Sequence, residues 1–219
     1  MTTSPISPRL IRGGLVLISP DSGQVQRVIA LQYNPDTLTR TLQPQAIAGD
    51  GQDRSQALRL KGPPVETIKV DAEIDASDQL EQPDQNPNAV QFGVAPQLAA
   101  IETLLYPPSG RLIANNALQA AGTLEITPLE TPLVLFVWSR QRVVPVRITD
   151  CSITEEAFDT QLNPMRAKVS LSLRVLSVDD LGFEHRGGAI YLIYQQTKER
   201  LAQAGAGASL PALGLTGIP

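Results

Sequence analysis

The sequence predicts a mainly β fold: a single antiparallel β-barrel or sandwich, closed or nearly closed, with one packed helix and a helical C-terminal extension. Three observations carry that reading. The segments Thr67–Asp75 and Lys168–Val175 alternate apolar and polar side chains with a period of two, the signature of half-buried strands. The run Pro132–Trp138 is apolar throughout, which suits a central strand covered on both faces. Proline–glycine turn signals separate short β-branched runs, and only two stretches show helical periodicity.

Taken in order, Gly14–Ser19 is a short apolar run closed by Pro20-Asp21-Ser22-Gly23. Proline's fixed φ and glycine's access to positive φ make that a turn, so Val25–Tyr33 reads as the return strand of a hairpin. In Thr67–Asp75, Ile68, Val70, Ala72 and Ile74 face the core, and Lys69, Asp71, Glu73 and Asp75 face outward. Pro96–Tyr106 sets Leu98, Ile101, Leu104 and Leu105 on one helical stripe, and Pro107-Pro108 stops it. After Pro132–Trp138 comes Val143–Ile153, in which Pro145 implies an edge strand or a bulge because it has no N–H to donate. Thr154-Glu155-Glu156 reads as a capped turn or a helix start. In the strand that follows, Val169, Leu171, Leu173 and Val175 form the core row, with Lys168, Ser170, Ser172 and Arg174 outward. Ala189–Gln203 is a second helix with Ile190, Ile193, Thr197 and Leu201 on its apolar face and Lys198, Glu199 and Arg200 solvated. Gln43–Lys61 and Gln79–Asn88 are polar and read as irregular. This divides the chain into a β-domain over 1–182, a helical extension over 183–203 and a flexible Gly/Ala/Pro-rich tail over 204–219.

Composition then removes whole classes of function. Across 219 residues, 18 basic and 22 acidic side chains give a net charge of −4, which argues against a nucleic-acid partner. The longest apolar run is far too short to span a bilayer, and residues 1–14 lack the apolar core of a signal peptide. The one cysteine excludes an internal disulfide and fits synthesis in a reducing compartment. One histidine, one cysteine and one tryptophan leave little catalytic material. Cys151 and His185 are the only possible thiol–imidazole pair, and Cys151 sits in a strand-like DCSIT where a buried inert thiol is expected. One histidine and one cysteine cannot complete a zinc set, and no phosphate-cradling glycine loop is present. Glu155 and Glu156 are adjacent, so on a strand they point to opposite faces and do not converge. The expectation is a protein that is not an enzyme and carries no cofactor, metal or catalytic residue.

Four stretches together resemble the N-terminal tube-like domain of contractile injection system proteins, the family of baseplate hub and tube-initiator subunits. They are QYNPDTLTRTL at Gln32–Leu42, KGPPVETIKVDAEIDASD at Lys61–Asp78, LLYPPS at Leu104–Ser109, and the long segment Pro132–Leu181. Their order and spacing carry the resemblance over most of residues 10–182. It implies a tail-tube fold and a six-fold ring that joins the inner tube to the spike. The implied partners are further copies of this chain, the inner tube protein, a second tube-initiator ring, and spike and baseplate proteins, within a particle that is cytoplasmic, membrane-attached or released. Many members carry a LysM module after this domain, whereas here one helix and a tail follow Leu181.

In such a ring Lys168, Ser170, Ser172, Arg174, Asp71 and Glu73 are the candidates to face the lumen or a neighbouring subunit. The polar stretch Gln43–Leu60 is the expected arm for contacts between subunits. A small β-barrel that binds a ligand or peptide without catalysis is the other reading, and the 4% aromatic content speaks against a roomy apolar pocket.

Overall fold

Seven strands form one antiparallel sheet in this computed structural model, which describes residues 11–19, 22–46, 59–120, 122, 132–205, 207 and 209–218. The strands are β1 (Gly14–Ile18), β2 (Val25–Ala30), β3 (Leu38–Gln43), β4 (Val65–Asp75), β5 (Leu133–Ser139), β6 (Arg142–Phe158) and β7 (Pro164–Val175). Their spatial order is β2-β1-β5-β6-β7-β4-β3. The helices are α1 (Ser77–Leu80), α2 (Pro87–Phe92), α3 (Ala95–Glu102), α4 (Ser109–Ala120), α5 (Val178–Leu181) and α6 (Arg186–Gly205). The protein is therefore mainly β, with helices packed on the sheet. The sheet is not closed: β2 pairs only with β1, and β3 only with β4, among the described residues.

The period-two segments fold as their patterns require. Along β4, Ile68, Val70, Ala72 and Ile74 are buried while Lys69, Asp71 and Glu73 are exposed. In β7, Ala167, Val169, Leu171, Leu173 and Val175 are buried, and the two core rows face each other through Ala72↔Val169, Val70↔Leu171 and Ile68↔Leu173. The apolar run of β5 is covered on both faces. Phe136 packs into the main core, and Leu133 and Leu135 pack into a second cluster with Ile18, Leu181 and Ile190. Helix α3 lays Leu98 and Ile101 on the main core. It is anchored at Gly93, where φ is +57° and an added Cβ would collide with the Pro164 carbonyl. That same carbonyl accepts a hydrogen bond from Val94 N at 2.8 Å.

Several sequence expectations need correction. Pro145 is on neither an edge nor a bulge: β6 lies inside the sheet and its register shift falls at Ile148/Asp150. Proline is tolerated because the β6–β7 pairing begins only at Val146↔Val175, and the Pro145 carbonyl still accepts from Leu176 N at 2.9 Å. Thr154-Glu155-Glu156 is neither a turn nor a helix start but part of β6, paired with Lys168, Ala167 and Arg166. The turn comes later, where Asp159 accepts from the backbone N–H groups of Gln161 and Asn163 at 2.7 and 2.8 Å. Leu105 is exposed, because α3 ends at Glu102 before the stripe reaches it. On α6 the buried residues are Gly187, Gly188, Tyr191 and Tyr194, whereas Ile193 and Leu201 are exposed. Helices α1, α2, α4 and α5 are not among those the sequence predicts. The first two occupy part of the stretch read as irregular, and α4 buries none of its residues.

The QYNP stretch does more than turn the chain. Gln32 acts like a strand residue with its side-chain amide: Nε2 donates to the Asp75 carbonyl at 2.7 Å, and Oε1 accepts from Asp75 N at 3.0 Å. Asn34 likewise joins the start of β1, accepting from Gly13 N and donating to the Ile11 carbonyl. Two amide side chains thus tie the β2–β3 connection to distant strands where the backbone ladder has a gap.

Candidate functional site

The candidates Lys168, Ser170, Ser172, Arg174, Asp71 and Glu73 all lie on one sheet face. The registers Glu73↔Lys168, Asp71↔Ser170 and Thr67↔Arg174 place the rows of β4 and β7 side by side. On one flank β6 adds Arg147, Asp150, Ser152, Thr154 and Glu156 opposite Arg174, Ser172, Ser170, Lys168 and Arg166. On the other, β3 adds Thr39 and Thr41 opposite Lys69 and Thr67. The result is a four-stranded surface mostly of Ser, Thr and charged side chains, with Val65 at one end of the β4 row and Phe158, 52% exposed, at the far end of β6. Lys69, Arg147, Arg166, Lys168 and Arg174 are matched on it by Asp71, Glu73, Asp75, Asp150 and Glu156, so the face is close to neutral.

Local bonds fix much of this surface. Ser170 Oγ donates to Asp71 Oδ1 at 2.6 Å, and Arg166 meets Asp75 at 2.8 Å. Lys168 pairs with Glu156 at 3.1 Å. The Asp75 carboxyl is held below its ordinary range first by the Ser77 hydroxyl and amide, then by Arg166. Arg174 differs from the others: it pairs with Asp180 of α5 at 2.7 Å, at the rim of the face. Helix α5 is itself set by a capping box in which Ser177 and Asp180 exchange side-chain and backbone bonds. The sequence does not show the β6 residues because Thr154–Glu156 reads there as a capped turn or a helix start. Their signal was the residue-by-residue match of β6 to β7, which one strand's pattern does not reveal.

Both edges of this surface carry unpaired backbone. β5 pairs with β6 only as far as Val146, so the outer side of Arg147–Phe158 has no strand beside it among the described residues. The outer side of β3 also has no strand beside it among the described residues, and the Ala46–Leu60 bridge only continues its hairpin with β4. Of the expected arm Gln43–Leu60, residues 47–58 lie outside the described residues.

A second feature lies on the core face, between β3, β4 and α6. Glu66 occupies the same row as Ile68 and Val70, yet its side chain is only 3% exposed. Oε1 accepts from Arg40 Nε at 2.8 Å and from the Tyr194 hydroxyl at 3.1 Å, and Arg40 Nη2 donates to the Tyr194 oxygen at 2.9 Å. Lys198, read from sequence as solvated, instead lies 3.7 Å from Glu66 Oε2 and 4.3 Å above the Tyr194 ring. Burial, reinforced by Glu66, pushes the Tyr194 phenol up to about 12. Burial also lowers the Lys198 ammonium below its usual value, with Glu66 opposing the change.

Neither Cys151 nor His185 takes part in these arrangements. Cys151 is half-buried on β6, and burial raises its thiol pKa. His185 Nδ1 accepts from Gly187 N at 3.0 Å at the start of α6. No described group of three or more His, Cys, Asp or Glu side chains is placed to hold a metal, and no described helix is long and apolar enough to cross a membrane. Comparison with known proteins adds no relative: no protein-family model matches the chain, and no curated protein matches it.

Proposed function

We propose that this chain is a structural, non-catalytic ring subunit of a contractile, phage-tail-like injection particle, sitting where the inner tube meets the spike and baseplate. The observation that carries the reading is the four-stranded polar face whose two edges have no strand beside them among the described residues. A tube wall needs a sheet that packs on its own core with one face and presents small and charged groups to a wet channel with the other. It also needs edges that a neighbour can extend, because an unsatisfied strand edge is otherwise a liability. Identical head-to-tail contacts then close a ring, and six copies are the number the family resemblance implies. The subunit is made in the bacterial cytoplasm and acts as part of the assembled particle, with the inner tube, a second initiator ring and the spike and baseplate proteins as neighbours.

The test is the mass of the assembled species. The chain is co-expressed with the tube, sheath and spike proteins of the particle, and the complexes are measured by native mass spectrometry and electron microscopy. Rings of this subunit at one end of the tube are expected. A chain that stays monomeric and separates from tube and spike in every combination overturns the reading.

A further inference from the structure

The cluster around Glu66 holds more positive charge than its own carboxylate can match. Beside it opens a cleft of about 260 Å³ lined by Arg40, Trp138, Arg142, Tyr194, Lys198 and Leu201, with Ser139 and Gln141 at its rim. Three cations line it, and the one acid in contact with them, Glu66, is already engaged by Arg40, Tyr194 and Lys198. Among the described residues no carboxylate pairs with Arg142. Arg40 and Arg142 both act to depress the Lys198 ammonium, the response expected where positive charge is in excess. One side of the cleft is cationic, and Trp138 and Leu201 give it an apolar wall.

We infer that this cleft is a binding site for a carboxylate attached to a short aliphatic chain. The guanidinium of Arg142 and the ammonium of Lys198 receive the two oxygens, and the carbon chain lies against Trp138 and Leu201. A guanidinium presents two parallel N–H groups that match a planar carboxylate. The volume suits a group the size of a glutamate side chain and is below the range typical of drug-sized ligands. The apolar wall favours an aliphatic acid over inorganic phosphate. The carboxylate can come from a small free acid or from an acidic side chain on another polypeptide, and the chemistry of recognition is the same.

Trp138 is the only tryptophan in the chain, so its fluorescence reports the cleft without a label. The full chain is titrated with acetyl-Leu-Glu-amide, with acetyl-Leu-Gln-amide, with glutarate and with inorganic phosphate at constant ionic strength. The expected result is a saturable change with acetyl-Leu-Glu-amide, with a Kd on the order of 1 mM, and none with the glutamine peptide. Saturation by glutarate at lower concentration than by the peptide assigns the site to free acids; the reverse order assigns it to a polypeptide side chain. Arg142→Gln should weaken binding about tenfold or more, as loss of a charged hydrogen-bond donor implies, with an unchanged circular dichroism spectrum. Arg140→Gln removes the same charge from an exposed neighbour outside the cleft and should leave binding within about twofold. Equal responses to the glutamate and glutamine peptides, tighter binding of phosphate than of either carboxylate, or equal losses in R142Q and R140Q would overturn the proposal.

Discussion

At the scale of single residues, Glu66 breaks the pattern of its own strand, and the break marks the most constrained polar group in the protein. A carboxylate in a core row is tolerated only when each oxygen has a partner, and here two cations and a phenol supply them. Glu66→Gln should therefore cost about 3 kcal/mol, because it leaves Arg40 and Lys198 without their counter-charge. Urea unfolding checks this, and a loss below about 1 kcal/mol would mean that water already satisfies the cluster. The Tyr194 phenol yields a prediction in pH. Its pKa rises from 10.0 to about 12 on folding, so between those values the native state binds more protons than the unfolded state. The stability it contributes is complete below pH 10 and is lost as pH climbs through that window. Tyr194→Phe should flatten this part of the alkaline decline and lower stability at neutral pH by about 1–2 kcal/mol through the lost hydrogen bonds. Urea midpoints taken at neutral pH and stepwise from pH 9 to 11 test both statements.

At the scale of elements, the legible parts were those where one strand or helix carries its whole pattern alone. β4 and β7 alternate because each has a core on one side and water on the other along nearly its full length. The far half of β6 was illegible for the opposite reason. It reaches past the β5 partner as a long ladder with β7 and has little core to cover, so Thr154-Glu155-Glu156 shows no alternation. Helix α4 buries nothing, so no apolar stripe announces it, and α6 is rotated from the face read in the sequence: Ile190 packs on the second cluster, but Ile193 and Leu201 are exposed. Its buried side chains are Tyr191 and Tyr194, and the Tyr194 hydroxyl takes as partner Glu66, 128 residues away. The outward row was foreseen from period two alone, but its matching to β6 and β3 required the registers. This face assignment predicts opposite results for adjacent residues on β7. Leu171→Asp places an unpaired carboxylate at a site 3% exposed and should cost about 4 kcal/mol or more. Ser170→Trp lies on the exposed row and should leave the isolated chain folded while blocking assembly or narrowing the channel. Circular dichroism of the isolated chain and electron microscopy of particles separate the two outcomes. A folded Leu171→Asp chain beside an unfolded Ser170→Trp chain would reverse the face assignment.

For the whole molecule the question is whether the two free edges meet in a neighbour. Across β6-β7-β4-β3 the edges are three strand spacings apart, which at about 4.8 Å each is roughly 14 Å. A disulfide bridges Cα atoms only up to about 7 Å, so a cysteine on β3 cannot reach one on β6 of the same copy. In a ring closed by sheet extension, β3 of one subunit lies beside β6 of the next at about one strand spacing, and the bridge becomes possible. The native thiol is first removed as Cys151→Ala, and one cysteine is placed at Thr39 or Thr41 and another at Ser152 or Thr154. Tested in all four combinations, these variants sample the registers that the pairing could adopt. In assembled particles at least one combination should oxidise to a ladder of covalent oligomers ending at a closed ring, whereas each single-cysteine control stops at a dimer. The ladder's last rung also counts the subunits directly, and six is expected. Particles that assemble normally while no combination yields more than the single-cysteine controls would show that the rings close through other surfaces, and the continuous inner sheet would be abandoned.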